Sequence, residues 1–197
     1  MDERETGACT AFLNGNRLAS GTPEDVSVAC RAALAAAPHA EIRVFDDATA
    51  RPVDFDLRGS TEEVRARHAA PPRRPGRPKL GVVAREVTLL PRHWEWLGAQ
   101  RGGASVALRR LIDEARAESA AADRTRAAQE AAFRFLQAMA GDRPHFEEAI
   151  RALFASDAGR FAAQMAGWPE DITAYARKLA SPALTPAAAP ASRDPAM

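Results

Sequence analysis

At 197 residues the chain has room for one domain or two small ones, and a 46% hydrophobic composition supports a packed core, although much of that fraction is alanine, which buries little area. A formal net charge of +1 hides strong segregation: residues 1–64 sum to −6, residues 65–112 to +9 and residues 113–197 to −2. The opening MDERETGA is too acidic and polar for a secretory leader, no run approaches a membrane span, and two cysteines make neither a disulfide framework nor a metal site, so a cytoplasmic protein with reduced thiols is expected.

Residues 9–65 read as a small α/β domain of ββαββ order. CTAFL (9–13) leads through Asn14-Gly15-Asn16, a strong hairpin turn, into RLAS. Thr22-Pro23-Glu24-Asp25 starts a helix, with Thr22 as cap and Pro23 at its first position. Val26, Ala29, Ala33, Leu34 and Ala37 share one face of it. EIRVFDD (41–47) and RPVDFDLRG (51–59) are expected to form a second hairpin about Ala48-Thr49-Ala50, and Thr61-Glu62-Glu63 opens a short helix. Asp46, Asp47, Asp54 and Asp56 lie near one hairpin. Alternation in VDFDL makes Asp54 and Asp56 a wet face, and Asp46-Asp47 is ordinary turn chemistry, so no metal site and no cofactor is expected there.

Residues 66–80, ARHAAPPRRPGRPKL, are a basic, proline-rich linker without an acid. Gly76-Arg77-Pro78-Lys79 resembles the core of an AT-hook, an extended segment that lays arginines along a narrow minor groove. Pro75 stands where that motif has Arg, with Arg74 displaced by one. Arg73, Arg74, Arg77 and Lys79 are the candidate phosphate contacts of this arm.

Residues 81–117 read as strand, helix, helix. In VVAREVTLL (82–90), Val83, Arg85, Val87 and Leu89 face one way, and Val82, Ala84, Glu86 and Thr88 the other. Pro91 ends the strand and opens a helix over about 91–100 that carries Trp94, Trp96 and Leu97. Gly102-Gly103 breaks it, and Ser105 is the expected cap of a second helix whose Leu108, Leu111, Ile112 and Ala115 share a face. So small a unit buries too little to stand alone and needs a second copy or a host domain.

Val87-Thr88-Leu89, Gly103, Ser105, Ala107-Leu108 and Leu111-Ile112 together resemble a ribbon-helix-helix unit. The resemblance implies a homodimer whose paired strands enter the major groove of double-stranded DNA. Thr88, Glu86 and Ala84 would then face bases, the Ser105 region would take a phosphate, and Arg109 and Arg110 would hold the backbone. Glu86 departs from the pattern, since it repels phosphates while able to accept from cytosine N4, and Arg85 falls on the face expected to be apolar. The whole chain is also similar to an uncharacterised bacterial family, the domain of unknown function numbered 2239, through FDDATARPVDFDLRGS (45–60), GRPKLGVVAREVTLLPRHWEWL (76–97), GGASVALRRLIDEAR (102–116) and GWPEDITAYARKLA (167–180). That resemblance implies that these regions form one arrangement.

Residues 118–180 are expected to be helical. A run over 118–140, with Phe133, Leu136 and Met139, either extends the second central helix or starts afresh near Asp123. Asp142 is placed to cap a helix with Phe146, Ile150, Leu153 and Phe154, Asp157 one with Phe161 and Met165, and Pro169 opens a last helix with Ile172, Tyr175, Ala176 and Leu179. Residues 181–197, rich in Pro and Ala, read as a disordered tail. No catalytic constellation is found: His39, His68, His93 and His145 are scattered, and no nucleophile elbow or phosphate-binding loop is present. The sequence thus reads as an α+β, non-enzymatic protein without a small-molecule ligand. Its expected role is a homodimeric, DNA-binding regulator, and the alternative is a protein-interaction or assembly module.

Overall fold

The computed structural model describes residues 7–69, 83 and 85–185; the arm residues Arg73, Arg74, Arg77 and Lys79, together with Ala84, lie outside them. The architecture is α+β. Strands β1 (Cys9–Leu13), β2 (Asn16–Gly21) and β3 (Ile42–Asp46) form an antiparallel sheet in the order β2-β1-β3. The helices are α1 (Pro23–Ala36), α2 (Thr61–His68), α3 (Pro91–Gly98), α4 (Gly103–Ala140), α5 (Phe146–Phe154), α6 (Ala158–Gln164) and α7 (Glu170–Leu184). Among the described residues no helix is long and apolar enough to cross a membrane.

Local sequence accounts for most of these elements. Asn14 and Gly15 both take positive φ, 49° and 86°, as a tight hairpin turn demands, and pair Leu13 with Asn16. The Thr22 hydroxyl accepts from the Asp25 N–H, and Pro23 begins α1. Ser60 and Glu63 form a reciprocal capping box on α2.

The expected fourth strand is not made. Residues 51–59 meet β3 at a single bridge, Phe45 to Pro52, made by the bonds from the Asp46 N–H to Arg51 O (3.0 Å) and from the Val53 N–H to Val44 O (2.9 Å). The ladder goes no further, and Val53, Phe55 and Leu57 pack instead against the cluster of Cys9, Ala11, Val26, Cys30 and Val44. That cluster holds α1 on one face of the sheet.

The other face is covered by the C-terminal helices. Phe12 and Phe45 join Phe135, Leu136, Leu153, Phe161, Met165, Ile172 and Tyr175 in the larger core. Residues 9–65 and 124–180, expected to lie in separate regions, therefore share one hydrophobic interior. The chain divides differently: one unit comprises residues up to 70 with those from 124 onward, and the second comprises 71–123. The physical reason is alternation in β1. Both faces of CTAF are buried, so a sheet with a helix on one side only would leave Phe12 in water.

Of the two alternatives open for 118–140, the structure has the first: the second central helix and this run are one 38-residue helix, α4, with residues 103–123 in the second unit and 124–140 in the first. Two further boundaries differ from expectation. Asp142 does not cap α5, which starts at Phe146 behind His145 in the left-handed region; Asp157 does cap α6, accepting from the Arg160 N–H at 2.9 Å. The tail expected from residue 181 begins inside α7, which runs through Pro182 to Leu184, because buried Leu179, Ala180 and Ala183 hold its last turn.

Candidate functional site

The second unit is the part of the chain whose apolar surface is least used. Residues 85–90 leading into α3 have no regular structure and no strand partner among the described residues, so the strand expected over 83–89 is not formed at 85–89. A strand needs a ladder, and no described residue of this unit supplies one. Leu90 is extended (φ −67°, ψ 151°), and its carbonyl accepts from the N–H groups of His93 (2.8 Å) and Trp94 (3.3 Å) to start α3 at Pro91. Gly102, at φ +90°, makes the turn into α4, where an added Cβ would stand 3.1 Å from the Val106 side chain. Leu97 and Ala107 are buried, whereas Val83, Val87, Leu90, Trp94, Trp96, Val106, Leu111 and Ile112 are exposed.

The predicted site residues fall as follows. Glu86 and Thr88 are exposed on the irregular segment before α3. Ser105 does not cap α4, because the helix begins two residues earlier at Gly103; its hydroxyl accepts instead from the Arg109 guanidinium one turn on, at 3.1 Å. Arg110 lies 3.8 Å from Glu114, an exposed pair worth little. Ser105, Arg109 and Arg110 are thus brought together at the start of α4.

A second polar cluster, which the sequence reading took for turn chemistry, lies in the first unit. Asp47 Oδ1 accepts from the Thr10 hydroxyl at 2.7 Å and the Tyr175 hydroxyl at 2.9 Å, and Oδ2 lies 2.6 Å from Lys178 Nζ. Lys178 Nζ also sits 5.4 Å from the Tyr175 ring centre. Burial alone would raise the Asp47 pKa, but the hydrogen bonds from Lys178, Thr10 and Tyr175 outweigh it and hold the carboxyl below its ordinary value. Burial and the neighbouring Asp47 push the Tyr175 hydroxyl far up, so it remains a donor. The cluster ties α7 to β1 and to the end of β3. The other carboxylates diverge from it: Asp46 accepts from the Ala48 and Thr49 N–H groups, and Asp56 pairs with Arg58 and Arg67.

A family model described as an uncharacterized protein conserved in bacteria (DUF2239) matches residues 8–180. The chain belongs to this family. The DUF2239 match runs from just before β1 into α7, so it takes in both units and the Asp47 cluster. No curated protein and no solved structure matches the chain. Within this DUF2239 chain a sequence signal for the missed cluster did exist: Tyr175 is its only tyrosine and Lys178 one of only two lysines, in a chain otherwise using arginine. Nothing in the sequence, however, pairs them with Asp47, 128 and 131 residues away.

The cluster carries a prediction. Asp47→Ala leaves the Tyr175 hydroxyl without its acceptor, at about 1–3 kcal/mol for a buried group stranded, while the Thr10 hydroxyl keeps Ser20 Oγ at 2.9 Å; Asp47→Asn, which keeps an acceptor oxygen, costs less. The folded-state pKa lies below the ordinary 3.8, so the unfolded chain takes up the proton first. Its stabilisation is therefore full above the ordinary carboxylate range and fades as pH falls through the folded value. Melting curves from pH 7 to pH 3 should show the gap between wild type and Asp47→Asn narrowing below about pH 4; a constant gap would deny the ionic contribution.

Proposed function

We propose that this DUF2239 protein is a homodimeric, DNA-binding regulatory protein whose second unit pairs with a second copy. One observation carries the reading. Of the nine large hydrophobic residues exposed among the described residues, eight lie between 83 and 112. Soluble monomers seldom leave so much apolar surface in one short stretch, and such a surface marks an interaction site. The same stretch falls within residues 65–112, which carry the net charge of +9, a field that draws in a polyanion. The contacts assigned to DNA are Glu86 and Thr88 at base edges, Ser105, Arg109 and Arg110 at the backbone, and Arg73, Arg74, Arg77 and Lys79 on the arm. The reading gives the protein no catalytic step and no cofactor.

The second reading is an assembly module that dimerises through the same surface without nucleic acid. Glu86 favours it, since a carboxylate aimed at a groove repels phosphates.

Salt separates the two. Affinity for duplex DNA, measured by electrophoretic shift at 50 and 200 mM salt, should fall steeply for a phosphate-binding protein. Changing Arg73, Arg74, Arg77 and Lys79 together to Ala should weaken binding to every sequence and flatten the log-log slope by up to about 4, roughly one per lost contact. An absence of DNA binding at low salt would leave the assembly module as the better account. Base readout is a separate expectation: Thr88→Ala should cost about 1–3 kcal/mol at a preferred site and spare non-specific binding, whereas Arg109→Ala should weaken both. Selection from a random duplex pool that enriches no sequence would refute readout.

A further inference from the structure

We propose that the first unit binds a monocarboxylic acid with an apolar body, such as a medium-chain fatty acid, in a cavity at the outer edge of β3, with Arg134 taking the carboxylate. The site lies in the first unit alone, and it stands whether or not the second unit binds DNA.

The cavity opens where the fourth strand is lost. Glu41 O accepts from the Asn14 N–H at 3.0 Å, and the Asp47 N–H donates to Ala8 O at 2.9 Å, so the odd residues of β3 turn their backbone groups toward β1. Ile42, Val44 and Asp46 turn theirs outward, because these groups alternate along a strand. The Asp46 N–H and Val44 O are met by Arg51 and Val53, and there the ladder stops. Among the described residues nothing bonds the Val44 N–H or the N–H and C=O of Ile42. Beside this open edge lies a cavity of about 650 Å³, bounded by β3, residues 52–57, Leu34 of α1, and Arg134, Gln137 and Ala138 of α4. Its size is that of a small-molecule site. It joins residues 34–57 to residues 134–138, so no local sequence pattern announces it.

The lining has an apolar part and a cationic part. Ile42, Val53, Phe55 and Leu57 pack on the smaller core yet are only half-buried, so that core is unfinished on this side. An apolar body laid over them would complete it. On the α4 side, Arg134 is half-buried, its Nη1 donates to Thr49 O, and no carboxylate pairs with it among the described residues. Its Nε and Nη2 are left to donate. A half-buried guanidinium held only by a carbonyl favours an anion, and its planar fork suits the two oxygens of a carboxylate. Arg43, the other cation of the lining, is already committed to Glu41 Oε1 at 2.6 Å and to Ala138 O. Asp54, the single acid of the lining, is exposed. One uncommitted cation with an acid nearby suits one negative charge rather than the two of a phosphate, and the apolar wall excludes a sugar.

The test is calorimetric titration of the full chain with decanoate, decanol and decyltrimethylammonium, each below its micelle concentration. The three share a tail and differ in head group. One decanoate should bind per chain, on the order of tenfold tighter than decanol, as a charge-assisted hydrogen bond predicts, and the ammonium should bind most weakly. Arg134→Gln, which keeps a donor for Thr49 O, should remove the preference for decanoate and leave the affinity for decanol as it was. Leu34→Trp, which fills the cavity from α1, should abolish binding of both, with circular dichroism confirming the fold. If Leu34→Trp does not fold, the head-group preference in Arg134→Gln still decides. Equal affinity for decanoate and decanol in wild type, or an equal loss of both in Arg134→Gln, would overturn the carboxylate contact. Binding undiminished in a folded Leu34→Trp would place the ligand elsewhere and overturn the site, as would no binding of decanoate at millimolar concentration.

Discussion

Phe135→Ala should destabilise the first unit by about 3–5 kcal/mol, the usual cost of emptying a fully buried aromatic site. Phe135 is wholly buried, and its ring stands 5.3 Å from Phe12 on β1, 5.2 Å from Phe45 on β3 and 4.7 Å from Tyr175 on α7. It stands where the sheet and the C-terminal helices meet, ringed by other aromatic side chains, so little around it can collapse into the space. For a chain of this size the melting temperature should fall by roughly 6–20 °C, at about 2–4 °C per kcal/mol. Phe135→Leu, which keeps much of the volume, should lie between the two. A melting temperature for Phe135→Ala within a degree or two of wild type would show that the two faces of the sheet are not joined as described.

Val87→Asp should dissociate the dimer without unfolding the first unit. Val87 is 57% exposed in one chain. In the dimer proposed above it lies in the shared apolar surface, so the substitution buries an unpaired carboxylate there. An uncompensated charge of this kind costs about 3–5 kcal/mol, which corresponds to association weaker by roughly 100-fold or more. Light scattering at micromolar concentration should report twice the chain mass for wild type and the single-chain mass for the variant. The thermal transition of the first unit should stay in place, because its core contains no residue from 83–112. A variant that remains dimeric would locate the contact away from Val87.

The elements closed by short-range chemistry were the ones legible in the sequence. Asn14-Gly15 dictates its hairpin through two positive φ values, Thr22-Pro23 the start of α1, Ser60 with Glu63 the start of α2, and Pro91 the start of α3. The same reasoning misplaced Ser105 and Asp142, because a capping residue marks where a helix can begin and neighbouring turns decide where it does. Here Gly102-Gly103 starts α4 early, and the turn ending at His145 starts α5 late. The fourth strand failed for a related reason: VDFDL alternates as a strand should, but its ladder to β3 stops at the Phe45–Pro52 bridge, and its apolar side chains are satisfied by packing alone.

By itself, then, the sequence determined the α+β class, most helix and hairpin starts, the segregation of positive charge into residues 65–112, and an apolar stretch about 83–112 too small to bury itself. Each follows from interactions over a few residues or from composition. Only the tertiary structure decided that residues 9–65 and 124–180 share one core, that α4 runs unbroken from one unit into the other, and that Asp47 gathers Thr10, Tyr175 and Lys178. Those depend on groups separated by up to 131 residues, and burial periodicity says that a face is covered without saying by what.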